Sequence, residues 1–366
     1  MPTHNLIWQR QPARALLAAA ALRSDWDRLN DARLGAPFLT ADALCAALEV
    51  FGTGSEQLLT AHAAGRTCAM AVLLPRGRLH WVTFQPSQVP LGAWVAQAGL
   101  SLDALARGLV GSGTLGLCLV LSISQVDPLQ APRTEDAADN WHNDYIPTSW
   151  LEINGNFDTY WAARGKNLRQ NARKQRNKLA ADGITASVRL LRAEQEMAPA
   201  LARYGVLESG GWKAAQGTAI HPDNEQGRYY IRLLESAAKQ GQALVTEYLF
   251  NERTVAMNLG LLRNGVLVVL KTTYDESINK ALSPASLLRE EELQHFFAGT
   301  DVRRIEYYGR TMDWHTKLTD QQRTLYHHTT YRWPLIKRLA ERRRRRASAS
   351  AAATAPPAPA ATPEAE

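Results

Sequence analysis

Cysteine is scarce in this 366-residue chain: Cys45, Cys68 and Cys118 stand far apart, and no two form a C-x-x-C pair. An odd number of separated thiols in apolar sequence argues against a disulfide framework or a cysteine zinc site. It fits buried free thiols in a reducing cytoplasm. Long apolar runs are lacking as well. The nearest candidate, Ala15 to Leu22, lies between Arg14 and Arg23 and falls far short of the ~20 residues that span a bilayer. No small-x-small cleavage site follows it, so it reads as an Ala-rich helix and not as a signal segment. His327-His328 has no spaced acidic or cysteine partner, and no metal is expected.

What is present in excess is positive charge, in two places. The net charge is +7, yet Arg164 to Lys178 holds seven cations and no acid, and Lys337 to Arg346 holds seven more against Glu341 alone. The remainder is therefore net acidic, and each basic stretch needs its own explanation. From Arg342 onward five arginines lead into Ala, Ser, Pro and Thr, a composition that cannot bury enough apolar surface to order itself. Residues 337–366 are expected to be a basic and then Ala/Pro-rich disordered tail. Its arginines suit an anionic membrane surface, where each cation is worth about 1 kcal/mol, or serve as a solubilising end.

The length suggests two domains, placed at 1–150 and 151–336. In the first, helices are expected at Ala15 to Leu22, Ala41 to Val50 and Leu100 to Leu109. Strands are expected at Leu58 to Ala64, Thr67 to Leu74, Leu79 to Gln85 and Leu115 to Leu121, with Pro75-Arg76-Gly77-Arg78 as a turn. Pro128 to Asn143 reads as a long polar loop. In the second, Trp161, Leu168, Ala172 and Leu179 recur at steps of 7, 4 and 7, one face of a helix over 158–181 with Asp158 as N-cap. Ala186 to Leu191 follows as a strand, then helices at Glu194 to Glu208 and Arg228 to Lys239. Leu244 to Phe250, Thr254 to Leu262 and Val266 to Tyr274 form an antiparallel meander, its second turn marked by Asn264-Gly265. A helix at Pro284 to Phe297 and strands at Arg303 to Tyr308 and near Thr329 to Trp333 complete the order.

This β-α-α-β-β-β-α-β order resembles the core of the GNAT acyltransferases. Three motifs narrow the likeness: the basic helix from Trp161 through Arg164, Lys166, Arg169, Arg173 and Lys174; Glu208-x-x-x-Trp212-Lys213; and Lys271-x-x-Tyr274-Asp275-Glu276 followed by Ser283-Pro284-x-x-Leu287-Leu288. Together they resemble the CelD/BcsL-like family of cellulose and exopolysaccharide biosynthesis, related to the FemAB transferases with two GNAT-like domains in tandem. The likeness covers about Trp150 to Trp333 well and the first 150 residues loosely. It implies an α/β (α+β) fold of tandem GNAT-like domains, each a mixed, mostly antiparallel central sheet flanked by helices.

The resemblance also implies roles. Coenzyme A pyrophosphate would sit at the turn into the helix at Pro284, where Asn279 to Ser286 contains no glycine and so departs from the usual fingerprint. Ser283, Ala285, Ser286 and Leu287 are the cofactor candidates, with Ser283 as N-cap and Pro284 at N1. Glu208 would orient or deprotonate the acceptor, or is an exposed helix-end carboxylate. Lys271 ends an apolar strand, a rare place for an unpartnered lysine, and pairs with a substrate or with Asp275 or Glu276. Tyr274 either meets substrate or packs. His315 is a candidate acid or base near neutral pH. Trp212, Lys213, Asp275, Tyr308, Asp313 and Lys317 are substrate-binding candidates. Arg164, Lys166, Arg169 and Arg173 form an anion-binding face or a solvated one.

The resulting expectation is a cytoplasmic acyltransferase moving an acyl group, foremost acetyl, from coenzyme A to an amine or hydroxyl. Its partners are acyl-CoA, that acceptor and a polysaccharide synthase complex. Two alternatives stay open. One is an aminoacyl-tRNA-dependent transferase, with tRNA on the basic helix. The other is a non-catalytic, GNAT-derived synthase subunit.

Overall fold

The computed structural model describes residues 6–210, 220–279 and 281–354, with side chains to residue 346. Among these residues thirteen strands join one sheet, and the two halves follow a similar order of elements. The first half runs β1 (Ile7–Pro12), α1 (Ala15–Ala18), α2 (Ala20–Asp31), α3 (Ala41–Phe51), β2 (Gln57–Ala63), β3 (Arg66–Pro75), β4 (His80–Thr83), β5 (Trp94–Ala96), α4 (Leu102–Gly111), β6 (Val120–Val126) and β7 (Asn140–Glu152). The second opens with α5 (Phe157–Ala162) and α6 (Lys166–Ala181). It continues through β8 (Ala186–Leu191), α7 (Glu194–Ser209), α8 (Glu225–Lys239), β9 (Ala243–Phe250), β10 (Arg253–Arg263) and β11 (Val266–Tyr274). It closes with α9 (Pro284–Ala298), β12 (Arg304–Glu306), α10 (Asp313–Leu318), β13 (Gln322–Tyr331) and α11 (Pro334–Thr354).

In each half three antiparallel strands end on one that meets a parallel neighbour only briefly: His80 to Val82 against Val120 to Ser122, and Val266 to Val268 against Arg304 to Glu306. The last strands are then exchanged. β13 inserts beside β6 of the first half and β7 beside β12 of the second, and the two pair with each other. The halves also share a core, in which Trp26, Phe38 and Leu44 are continuous with Tyr204, Tyr230, Leu233 and Met257. Ion pairs Arg263–Asp31 (2.5 Å) and Arg232–Glu49 close its rim.

The meander expected in the second half is present, and its turns form as their residues dictate. Asn264 and Gly265 both adopt positive φ (52° and 78°), the geometry a two-residue hairpin loop needs. At Gly265 a Cβ would come within 2.8 Å of the Arg303 guanidinium carbon. The strand expected at Leu115 to Leu121 lies instead at Val120–Val126, and part of the expected loop at Pro128 to Asn143 is the start of the long strand β7.

The single helix expected over 158–181 is two. Asn156, not Asp158, is the first N-cap, its side chain accepting from the Thr159 amide at 2.8 Å, and Gly165 caps the second helix after a break. Arg164 sits in that break and donates to the Leu318 carbonyl at 2.9 Å, which fixes the turn against α10. In the C-terminal segment, expected to be a disordered tail, residues 337–354 belong to a helix. α11 continues through the arginine run to Thr354, because Arg and Ala are strong helix formers. Lys337 donates to the Ala137 carbonyl at 2.8 Å, and the Arg344 guanidinium lies 3.2 Å over the Trp141 ring. Among the described residues no helix is long and apolar enough to cross a membrane.

Candidate functional site

β11 continues for six residues beyond Val268, the last to pair with β12. Its other edge is irregular too. Lys271 pairs with Leu259 and Val269 with Gly260, which leaves Leu270 as an extra residue in a bulge. Bulges bend and twist a strand, and the end of β11 departs from β12 and opens the sheet. The opening is a cleft of about 770 Å³, walled by Glu208, Thr272, Thr273, Tyr274, Asp275, Ser283, Ala285, Arg289 and Trp314 among others. A second pocket of about 270 Å³ adjoins it beneath α6. It shares Ser283, Arg289 and Trp314, and adds Asn167, Asn171, Gln175, Ser286 and Lys317.

Three elements bring these side chains together. The end of α7 supplies Glu208, which is 3% exposed and accepts the Ile220 amide at 2.7 Å. It is not the solvent-exposed helix end that was one reading of it. The end of β11 supplies Tyr274, 46% exposed at the mouth. Asp275 lines the same wall but is held by the turn: its carboxylate takes the Ser277 amide and hydroxyl and pairs with Arg253. Burial pushes its pKa up, and those hydrogen bonds with Arg253 outweigh it and hold the group below the usual carboxylate range.

The start of α9 supplies Ser283, Ala285 and Ser286. Ser283 is the N-cap and Pro284 the first helical residue, as expected, but Ser283 caps with its backbone in the left-handed region (φ 34°) and its side chain makes no capping bond. Its carbonyl takes the Ser286 and Leu287 amides. Leu287 does not reach the cleft. It is fully buried against Tyr248, Val255 and Leu288, because its position turns it into the sheet.

Two residues not singled out by sequence reasoning stand at the centre. Arg289 lies half-buried one helical turn below Ala285 and Ser286, where i,i+3 and i,i+4 side chains share a face. Its guanidinium carbon is 3.8 Å from the centre of the Trp314 ring. Among the described residues no carboxylate forms an ion pair with it. The nearby Glu292 carboxylate is instead engaged by the Asn258 amide at 2.6 Å. Burial, unrelieved by a paired anion, pulls the Arg289 pKa below its ordinary value.

The other expected residues fall elsewhere. Lys271 is half-buried and is not among the residues lining the cleft; its Nζ is 6.0 Å from the Tyr230 ring on the shared-core side. His315, the candidate acid or base, lines neither pocket. It is buried beneath Trp314, with Nδ1 accepting the Met312 amide at 2.9 Å, and burial together with Arg289 lowers its pKa to about 4. Tyr308 lies away from both pockets and packs edge-on against Phe38 at 5.0 Å in the core between the halves. Asp313 is exposed at the start of α10, and Lys317 rims the smaller pocket. Lys166, Arg169 and Arg173 are exposed on α6, whereas Arg164 is tied to Leu318. Trp212 and Lys213 lie outside the described residues.

Residues 166–316, which carry this cleft, match the model of an acetyltransferase (GNAT) domain. No curated protein matches the chain. Among solved structures it is similar to FemX, at 10% identity over 86% of this chain and 97% of that one, with a TM-score of 0.54. It is similar also to a conserved protein of unknown function from Bacteroides thetaiotaomicron VPI-5482, at 12% identity over 86% and 97%, with a TM-score of 0.52. A tandem GNAT protein from the clavulanic acid biosynthesis pathway aligns over 88% and 98% at 13% identity, with a TM-score of 0.43. At such identities the first two are likenesses of fold. The mixed α/β architecture, with its mostly antiparallel sheet flanked by helices, agrees with the class expected from the sequence.

Proposed function

We propose that the second half is an acyltransferase, with the donor entering between β11 and β12 and the acceptor meeting it beside Glu208. The observation that carries this reading is Arg289, a half-buried guanidinium without a carboxylate partner among the described residues, set between two pockets at a helix start. Keeping such a charge from water is costly unless an anion joins it. A phosphorylated donor supplies one, and Lys317, Ser283 and the α9 N-terminus add further donors. The donor of this reading is acyl-CoA, foremost acetyl-CoA. Its thioester carbonyl lies along the edge of β11 that β12 leaves open, where a backbone amide can stabilise the oxyanion. Glu208 takes the proton of an amine or hydroxyl as the C–O or C–N bond forms, and the thiolate leaves with a proton from solvent or from Tyr274 at the mouth.

The test is a transfer assay with labelled acetyl-CoA and a panel of amines and polyols. Arg289→Ala is expected to raise the donor KM at least tenfold, a loss of about 1.4 kcal/mol or more of binding, with a smaller change in kcat. An unchanged donor KM would remove Arg289 from the site.

An aminoacyl-tRNA donor is the second reading, favoured by the exposed Lys166, Arg169, Arg173 and Lys174 on the helix whose Asn167 and Asn171 line the smaller pocket. It requires tRNA affinity that falls steeply between 50 and 200 mM salt, by about a thousandfold for six phosphate contacts. Salt-insensitive or absent tRNA binding would eliminate it. A place in cellulose or exopolysaccharide production, and attachment to a synthase complex, rest on the sequence resemblance alone.

A further inference from the structure

Far from the cleft, the face where the two exchanged strands meet carries a cluster the transfer reaction does not use. His142 on β7 and His328 on β13 are register partners across the antiparallel pair, and so point to the same side. Asp103, in the first turn of α4, reaches them from above. All three are buried. His142 Nε2 and His328 Nδ1 face each other at 3.0 Å, and Asp103 Oδ1 lies 3.5 Å from the first and 3.4 Å from the second.

We infer that Asp103, His142 and His328 form a binding site for a divalent transition metal, zinc foremost. A tetrahedral ion with bonds of about 2.0–2.1 Å holds its donors about 3.3 Å apart, and this triangle has that size. An ion about 2 Å from all three atoms sits just outside their plane, with its fourth position left for water. The chemistry of the donors agrees, since two imidazoles and a carboxylate suit zinc over the all-oxygen ions.

A second set of contacts points the same way. The nitrogen of each imidazole that faces away from the triangle has its own partner: His142 Nδ1 meets Asp136 Oδ1 at 2.9 Å, and His328 Nε2 meets the Thr330 hydroxyl at 2.7 Å. With those nitrogens protonated, both inner nitrogens present lone pairs, the arrangement of carboxylate–histidine–metal units. Asp103 is itself oriented by the Asn140 amide (2.5 Å) and the Thr134 hydroxyl (2.8 Å). Without a metal, one inner nitrogen must carry a proton and the cluster is a histidine–histidine–aspartate hydrogen-bond relay.

The site lies where β13, from the second half, crosses into the first. An ion there ties α4, β7 and β13 together and fastens the strand exchange. The full-length protein, purified without a histidine tag, is expected to carry about one zinc per chain by elemental analysis. Removal by dipicolinate lowers the melting temperature by several degrees, and added zinc restores it. His328→Asn keeps an amide donor toward Asp103 and is expected to lose the metal. Should that variant fail to fold, cobalt(II) added to the stripped wild-type protein reads the site directly through the intense visible bands of tetrahedral coordination. Zinc retained in full by a folded His328→Asn protein overturns the inference. So does a stripped wild-type protein that takes up neither ion, which would make the cluster the hydrogen-bond relay.

Discussion

Arg323→Met is expected to destabilise the protein by about 3–5 kcal/mol, the usual cost of removing one partner from a buried ionic network. Arg323 on β13 is 8% exposed and is gripped from both halves. Asp127, just past β6 and fully buried, accepts from its Nε at 2.9 Å and its Nη2 at 2.6 Å, while Glu306 on β12, 4% exposed, accepts at 2.9 Å. The guanidinium also lies near the rings of Trp150 and Tyr308, 5.1 and 5.3 Å from their centres. Burial alone would lower the arginine's pKa, but Asp127 and Glu306 hold it above its ordinary value.

Methionine fills the space and leaves two carboxylates buried side by side with their main counter-charge gone. Repulsion and desolvation then act together. The check is a denaturant titration of both proteins, read through the unfolding midpoint. A triple variant with Asp127→Leu and Glu306→Leu added should recover much of the loss, since apolar replacement of a whole buried network is often neutral. A midpoint unmoved by Arg323→Met would mean that the exchanged strand is held by its backbone pairing alone.

The largest effect on activity is expected from Glu208→Gln, a fall in kcat of about 10²- to 10⁴-fold, the range of a lost general base. Glutamine keeps an oxygen for the Ile220 amide, so the fold and the donor KM should hardly change, and acetyl-CoA should still bind. A variant that keeps wild-type kcat would reduce Glu208 to an anchor for the backbone at Ile220.

Much of the second half was legible in its sequence, and the reason is its strands. β9, β10 and β11 are apolar almost throughout and end at turn residues, so pattern and structure coincide. Of the exchanged strands only the end of β13 was legible, as the strand expected near Thr329 to Trp333. β7 buries Asn140, His142, Thr148 and Ser149, and β13 buries His328 and Thr330, so neither shows the apolar alternation that announces a strand. Their inward polar groups are satisfied by partners about two hundred residues away, such as Asp103 and His142 for His328. No local pattern carries that information.

The cleft divides in the same manner. Glu208, Tyr274, Asp275, Ser283 and Ala285 sit at element ends that motif and periodicity locate, and they line one wall. Arg289 lies inside a helix, between Leu288 and Glu290-Glu291-Glu292, where a charge reads as a solvated face. Only its spacing from Ala285 and Ser286 hinted at the cleft. His315 and Tyr308 are buried and line neither pocket, and burial of a polar residue after a strand is not readable from the sequence.

The central claim is that the second half, not the first, receives an anionic acyl donor. The first half has its own cleft of about 530 Å³, lined by Arg76, Gln85 and His327 among others, so the two can be compared in one molecule. Calorimetric titration of acetyl-CoA into the wild-type protein, Arg289→Ala and Arg76→Ala is the most direct test. The predicted result is micromolar binding of one equivalent, weakened at least tenfold by Arg289→Ala and unaltered by Arg76→Ala. No heat at millimolar acetyl-CoA, or binding lost through Arg76 and not through Arg289, would contradict it.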